Sequence, residues 1–339
     1  MTVRVENVRF EHHRESFGIG EATPRISWQV AGGEPGWRQR AFEVAVSAAE
    51  GGSAESWQSG RIGSPESVLV DWPCEPLRSR ERRSVCVRVW GDGAEPSPWS
   101  EPAPVEAGLF AAADWRAVLV APDRDLGGRL DRPPVLVRRP FDVSGEVASA
   151  RLYISAHGMY EARINGQLVG DHVFAPGWTS YRHRLRYQTF DVTALIRPGR
   201  NAIGATVAEG WYCGHLGFHG GRRLIWGDEV ALLAQLEITC ADGHVEALAT
   251  DGAWRWADGP TLSSGIYAGE DYDARREIAG WSGPDFEDAS WRPVRELGPE
   301  PAALVAPSGP PVRRTQTLAP ASIFTTPRGR AVVDFGQNL

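Results

Sequence analysis

Short stretches in which apolar and polar residues alternate, interrupted every few residues by glycine, proline or serine, recur along nearly the whole chain. Examples are Arg25-Ile26-Ser27-Trp28-Gln29-Val30, Phe42-Glu43-Val44-Ala45-Val46 and Val85-Cys86-Val87-Arg88-Val89-Trp90. Later come Ala150-Arg151-Leu152-Tyr153-Ile154-Ser155, Tyr160-Glu161-Ala162-Arg163-Ile164 and Ala231-Leu232-Leu233-Ala234-Gln235-Leu236-Glu237-Ile238. A period of two places side chains alternately on the two faces of a strand, so the pattern selects sheets over helices. Asn165-Gly166, between two such runs, is the dipeptide that a tight hairpin demands, because both central residues need positive φ. Helix is scarce: residues 192–196 can form a single turn, with Asp191 as N-cap and Pro198-Gly199 as stop. The chain is therefore expected to be all-β.

Its length of 339 residues accommodates two domains and part of a third, each able to bury a core. Residues 1–110 carry the closely spaced strands of a small antiparallel sandwich. Trp28 and Trp90 lie in alternating strands and are expected in its core, and the stretch 95–100 reads as an edge or turn before the last strand. Residues 111–131, rich in Ala, Pro and Gly, read as a linker. Residues 132–299 resume the strand pattern with longer spacing, as in a jelly-roll sandwich. Residues 300–339 read as the first strands of a third β-domain, too few to stand alone and needing a partner surface.

The net charge of −7 argues against nucleic acid as a partner. Every basic residue other than histidine is arginine, so no lysine is present to form a Schiff base. No segment approaches a membrane span and the N-terminus has no signal-peptide core, from which a cytoplasmic protein without membrane contact is expected. The four cysteines show no C-x-x-C pair. Cys74 with Cys86, or Cys213 with Cys240, could bridge strands, but reduced thiols are the expected state. No H-E-x-x-H, G-x-S-x-G or phosphate loop occurs, which removes metalloprotease, serine-hydrolase and nucleotide-binding readings.

Binding a sugar requires an aromatic face for the ring together with fixed polar groups for its hydroxyls. Trp178 follows Pro176-Gly177, and Trp211-Tyr212 follows Gly210, both loop-like settings; Asp171, Tyr181, Glu209, His215 and His219 are near in sequence. The expected binding rim comprises Trp178, Tyr181, Trp211 and Tyr212, with Asp171 or Glu209 taking hydroxyl hydrogen bonds. The competing reading makes these aromatics plugs that close the sandwich. Asp228 and Glu229 in WGDEVALL are candidate hard-oxygen ligands for calcium. Glu270-Asp271-Tyr272-Asp273 is a second acidic cluster. An inverting glycosidase holds its acid and base roughly 6.5–9.5 Å apart on either side of the sugar, whereas neighbours on one strand point to opposite faces. These four residues are therefore expected to form an interdomain or substrate-side loop, with Arg275 and Arg276, rather than a catalytic pair.

Linked motifs along the chain resemble those of the bacterial α-L-rhamnosidases: the opening FGIGEATPRISWQV, the run from Tyr153 to Phe218, the later SGIYAGEDYDAR and the closing VVDFGQNL. The resemblance implies a fibronectin type III-like module, then the family's N-terminal β-sandwich module, then the opening of a third β-domain. It implies a parent activity of inverting hydrolysis of terminal α-L-rhamnosides, with acid and base in a downstream helical barrel and no catalytic residue in this chain. In some members the second module binds rhamnose with a calcium ion. Rhamnose-containing glycosides and the downstream catalytic domain are thus the implied partners; an independent scaffold or interaction protein is the alternative.

Overall fold

The computed structural model describes residues 2–48, 56–217, 221–298, 300 and 302–337. Among them nearly all regular structure is strand, interrupted by one helical turn at Gly210–Cys213 and three short 3-10 turns. No helix is long and apolar enough to cross a membrane, which does not bear on β-barrels.

The first sandwich sets Arg4–Phe10 against Ile26–Ala31, and opposite them a five-stranded sheet in the order Phe17–Ile19, Ala103–Ala107, Arg82–Trp90, Ala41–Ala48 and Trp57–Gln58. The pairing of Phe17–Ile19, at the sheet edge, with Ala103–Ala107 is parallel, which departs from the antiparallel expectation. Period-two alternation sends Ile26, Trp28, Phe42, Val44, Val85 and Val87 into one core. The indole N–H of Trp28 is satisfied there by Gln39 Oε1 at 3.0 Å. Trp90 is also buried, with its N–H donated to the Ala94 carbonyl and the Arg61 and Arg88 guanidiniums over its ring.

The larger sandwich is built from two sheets that share an edge. One runs Gln167–Leu168, Met159–Ile164, Gly199–Ala208, Val135–Val143, Arg255–Asp258 and Arg292–Glu296. Arg292–Glu296 also pairs with Val120–Pro122, which leads to Ala231–Cys240, Val147–His157 and Gln188–Asp191, with Val245–Ala249 beside Ala231–Cys240. Asn165 and Gly166 have φ of 51° and 84°, the two positive values expected of the hairpin between Met159–Ile164 and Gln167–Leu168. The turn at Thr193–Leu195 is 3-10, and Asp191 Oδ1 accepts the Thr193 N–H at 3.0 Å.

Residues 111–131, expected as a linker, include the strand Val120–Pro122, with Leu119, Val120 and Ala121 almost fully buried. The strands Val147–His157 and Ala231–Cys240 are buried without alternation in their central parts because both faces are covered. Leu152, Ile154, Leu232 and Leu236 face the sandwich core, while Tyr153, Ala231 and Leu233 face a second layer formed with Leu119, Leu109 and Tyr187. A two-faced strand reads as a continuous apolar run.

That second layer joins the modules. Tyr187 Oη donates to the Leu109 carbonyl at 3.0 Å and accepts the Leu109 N–H at 2.7 Å. Arg151 pairs with Glu106 at 2.6 Å, both nearly buried, and Arg80 spans Asp114 at 2.8 Å and Glu237 at 2.7 Å. Beyond the larger sandwich, Ala303–Val305 pairs in parallel with Arg184–Arg186, and Ser322–Thr325 forms a hairpin with Ala331–Asp334. Pro299, Pro301 and Leu339 lie outside the described residues. All four cysteines are free thiols, so neither alternative bridge is present.

Candidate functional site

The loop between the strands Gln167–Leu168 and Arg184–Arg186 and the helical turn Gly210–Cys213 meet at one end of the larger sandwich and separate the expected aromatics into two sets. The outer set is Trp178 and Trp211, whose rings are parallel within 6° and 6.3 Å apart, with Phe174 edge-on to Trp211 at 6.0 Å. Trp178 is 54% exposed and Phe174 50%. Phe174, which the sequence reading did not select, has φ of 59°. A bulky side chain rarely adopts that conformation, and strained residues cluster at functional sites.

The inner set is packed. Tyr181 is buried, with its hydroxyl directed at the Gly177 carbonyl 3.3 Å away, and burial pushes its phenol pKa up. Tyr212 stacks on His157 at 4.2 Å and 10°, lies edge-on to Tyr181 at 5.2 Å, and has its pKa pushed up to about 12 by burial. The expectation of a four-aromatic rim is corrected for Tyr181, which is buried; Trp211 and Tyr212 are both half-buried, Trp211 beside the exposed Trp178 and Tyr212 against His157 and Tyr181.

Glu209 is fully buried. Its Oε2 accepts the Arg132 N–H at 3.0 Å, and Arg223 Nη1 donates to both oxygens at 2.8 and 3.0 Å. Burial raises its pKa despite these donors. The carboxylate braces the base of the helical turn, which corrects its assignment as a rim acceptor. Asp171 is exposed and receives the Arg313 Nε–H at 2.8 Å. It lines a cavity of about 400 Å³ that also borders Phe17, Phe174, Gly177, Phe190 and Arg313, and so leads to the residue preceding Trp178. His215 lies edge-on to Tyr267, and His219 lies outside the described residues.

Asp228 and Glu229 do not gather an oxygen cage. Glu229 Oε2 is paired with Arg295 at 2.5 Å, the Asp228 carbonyl accepts from Arg132, and among the described residues no group of three ligating side chains forms around them. Calcium prefers six to eight oxygens, and an arginine already neutralises one of the two carboxylates. Among the described residues the two carboxylates thus bring no further acidic side chain with them.

Glu270, Asp271 and Tyr272 lie on the strand Gly269–Tyr272, exposed throughout and paired with Thr261–Gly265. Asp271 accepts from Ser263 at 2.8 Å, the Tyr272 hydroxyl donates to Glu277 at 2.7 Å, and Asp273 holds Arg275 at 2.8 Å. These carboxylates do not face one another across a cleft.

Fold and site together define an all-β protein of two modules, an immunoglobulin-like sandwich followed by a larger one with an exposed aromatic rim. The sequence matches the Rha78A-like N-terminal immunoglobulin domain over residues 5–111 and the alpha-L-rhamnosidase N-terminal domain over residues 145–316. The chain belongs to the α-L-rhamnosidase N-terminal domain family. The α-L-rhamnosidase of Streptomyces avermitilis is 30% identical over 99% of this chain and 49% of its own length. The crystal structure of native α-L-rhamnosidase from Aspergillus terreus aligns with a TM-score of 0.93 at 46% identity, covering 100% of this chain and 39% of that one. The Streptomyces avermitilis enzyme complexed with L-rhamnose aligns with a TM-score of 0.92 at 27% identity, covering 100% and 49%. The chain thus spans about half the length of this curated relative, and less of others.

Proposed function

We propose that this chain is the non-catalytic N-terminal portion of an α-L-rhamnosidase, whose parent activity is inverting hydrolysis of terminal α-L-rhamnosides, and that its larger sandwich binds rhamnosides weakly. The observation that carries the binding is the parallel pair of an exposed Trp178 and a half-buried Trp211. Such rings offer an apolar face to a pyranose. Asp171, on the wall of the cavity that also borders Phe174 and Gly177, is the polar partner even though its Oδ1 accepts from Arg313, because it is exposed; Glu209 is excluded because it is fully buried with both oxygens engaged. A monosaccharide has few heavy atoms, so affinity is about millimolar to high micromolar, roughly −4 to −6 kcal/mol.

Rhamnose titration at high sugar concentration tests this. Binding is expected for the wild type and lost in Trp178→Ala or Trp211→Ala with the melting temperature retained. No rhamnose response in the wild type, with or without calcium, removes the proposal. The arrangement of Glu270, Asp271 and Asp273 does not suit acid–base cleavage, and the purified chain is expected to leave aryl α-L-rhamnosides intact. Release of the aryl alcohol above a buffer blank, abolished by Asp271→Ala, would refute this. The free thiols suit a reducing compartment, and we place the protein in the cytoplasm.

A second reading, docking onto a protein partner, is favoured by the hairpin of Ser322–Thr325 and Ala331–Asp334. Its Ile323 is 70% exposed, and Phe324 and Val333 are also exposed. The fitting partner is the downstream catalytic portion of the parent enzyme; both roles can reside in one chain.

A further inference from the structure

The hairpin turn between Ala231–Cys240 and Val245–Ala249 lies beside the turn that follows Val135–Val143. Ala241 donates its backbone N–H to the Glu146 carbonyl at 2.8 Å, fixing the two turns against each other. At this junction one ligand atom each from Cys240, His244 and Glu246 lies within 4.8 Å of the others, an arrangement found nowhere else among the described residues. The Cys240 sulfur is 3.9 Å from Glu246 Oε1, and His244 Nε2 is 3.0 Å from the same oxygen. Ligand bonds of about 2.0–2.3 Å to zinc place tetrahedral neighbours about 3.3–3.6 Å apart, so small side-chain adjustments suffice.

The surroundings suit a metal as well as the distances do. Asp242 Oδ1 lies 2.6 Å from His244 Nδ1, so Nδ1 can carry the proton and leave the Nε2 lone pair free toward Cys240 and Glu246. A carboxylate behind a ligating histidine is the usual outer support of a zinc site. Ser144 Oγ, from the neighbouring turn, is 2.6 Å from Glu246 Oε1 and 3.2 Å from His244 Nε2. It stands where a fourth ligand, or a water it holds, would complete a tetrahedron. Cys240 is almost fully buried, whereas the His244 side chain is 42% exposed, so a metal would enter from the solvent side and meet the sulfur last.

We propose that Cys240, His244 and Glu246 bind a zinc ion that staples the two turns together, with Asp242 orienting the histidine. A ligand set of one thiolate, one imidazole and one carboxylate favours zinc over calcium or magnesium, which prefer oxygen alone. Binding releases the thiol proton together with any proton on Nε2.

Titrating the purified chain with cobalt(II) as a spectroscopic stand-in is the test. The expected result is one equivalent bound with the visible bands of a tetrahedral site and a thiolate-to-cobalt charge-transfer band, both bleached by zinc. Cys240→Ser should abolish the charge-transfer band, whereas Cys74→Ser and Cys86→Ser should keep it; Asp242→Asn should weaken binding about tenfold. If Cys240→Ser does not fold, His244→Ala and Glu246→Gln on the turn decide the matter, each expected to lose the tetrahedral spectrum. Absence of these bands in the wild type, or their persistence in the folded Cys240 variant or in both turn variants, overturns the proposal.

Discussion

Replacing Tyr187 with Phe tests whether one hydroxyl fastens the two sandwiches together. Tyr187 is fully buried and its ring meets Trp115 at 5.1 Å and Tyr153 at 6.4 Å, contacts that phenylalanine preserves. The substitution removes only the oxygen, leaving the N–H and the carbonyl of Leu109 without this partner. Each unsatisfied buried group costs about 1–3 kcal/mol, offset in part because the hydroxyl no longer has to be desolvated. The net loss should be about 2 kcal/mol, or about 4–8 °C in melting temperature for a unit of this size. Gly108 makes the reasoning sharper, since a Cβ there would lie 2.3 Å from the Tyr187 hydroxyl and 3.0 Å from the Gly18 carbonyl. Gly108→Ala should therefore destabilise by about 1–3 kcal/mol through overpacking. With the hydroxyl gone, the worse of those two clashes is relieved, so the double variant should be less destabilised than the sum by about 1 kcal/mol. Chemical denaturation of the wild type, both single variants and the double variant measures this. Additivity within about 0.3 kcal/mol, or a Tyr187→Phe variant as stable as wild type, would refute the fastening role.

Glu15 accepts from Arg313 at 2.6 and 2.9 Å, and those bonds hold its pKa below the ordinary 4.5. The stability it contributes is present above about pH 4.5 and lost as pH falls through the lowered folded-state value. Because the pair is partly exposed the effect should be under about 1 kcal/mol; unfolding free energies between pH 5 and 3 should show it, and Glu15→Gln should flatten that part of the profile. A fragment of residues 112–316 should melt cooperatively while one of residues 132–299 should not, because only the first retains the buried strand Val120–Pro122; equal cooperativity in calorimetry would count against this. Trp178→Ala should change the melting temperature by no more than a degree or two, since its ring is half exposed; a large drop would make it a structural plug.

The alternating runs made the first sandwich legible, and Asn165-Gly166 made one hairpin legible, because period and turn chemistry are local. Val120–Pro122 escaped notice: three residues that themselves include an alanine and a proline carry no period, and only the long-range pairing with Leu232 and Val294 makes them a strand. Trp178 was readable as an exposed aromatic from its Pro-Gly approach. Tyr181 and Glu209 were not readable as buried, since their partners Tyr212 and Arg223 are brought to them by the fold. Phe174 carried a signal of sorts in its place within FAPGW, but its positive φ is invisible in sequence. Cys240, His244 and Glu246 do lie close in sequence, in a C-x₃-H-x-E spacing outside the common zinc patterns, so that proximity was overlooked.

The strand Arg292–Glu296 is the shared edge of both sheets of the larger sandwich. During synthesis the first module can close once residue 107 has emerged, because its strands lie within one continuous stretch. The larger module must wait for nearly 200 further residues before the seam between its sheets is sewn. Until then Val120–Pro122 and Arg255–Asp258 each lack a neighbour along one edge, and unpaired edges invite pairing with other chains. The nascent chain should therefore be most prone to aggregation, and most dependent on chaperones, during that interval.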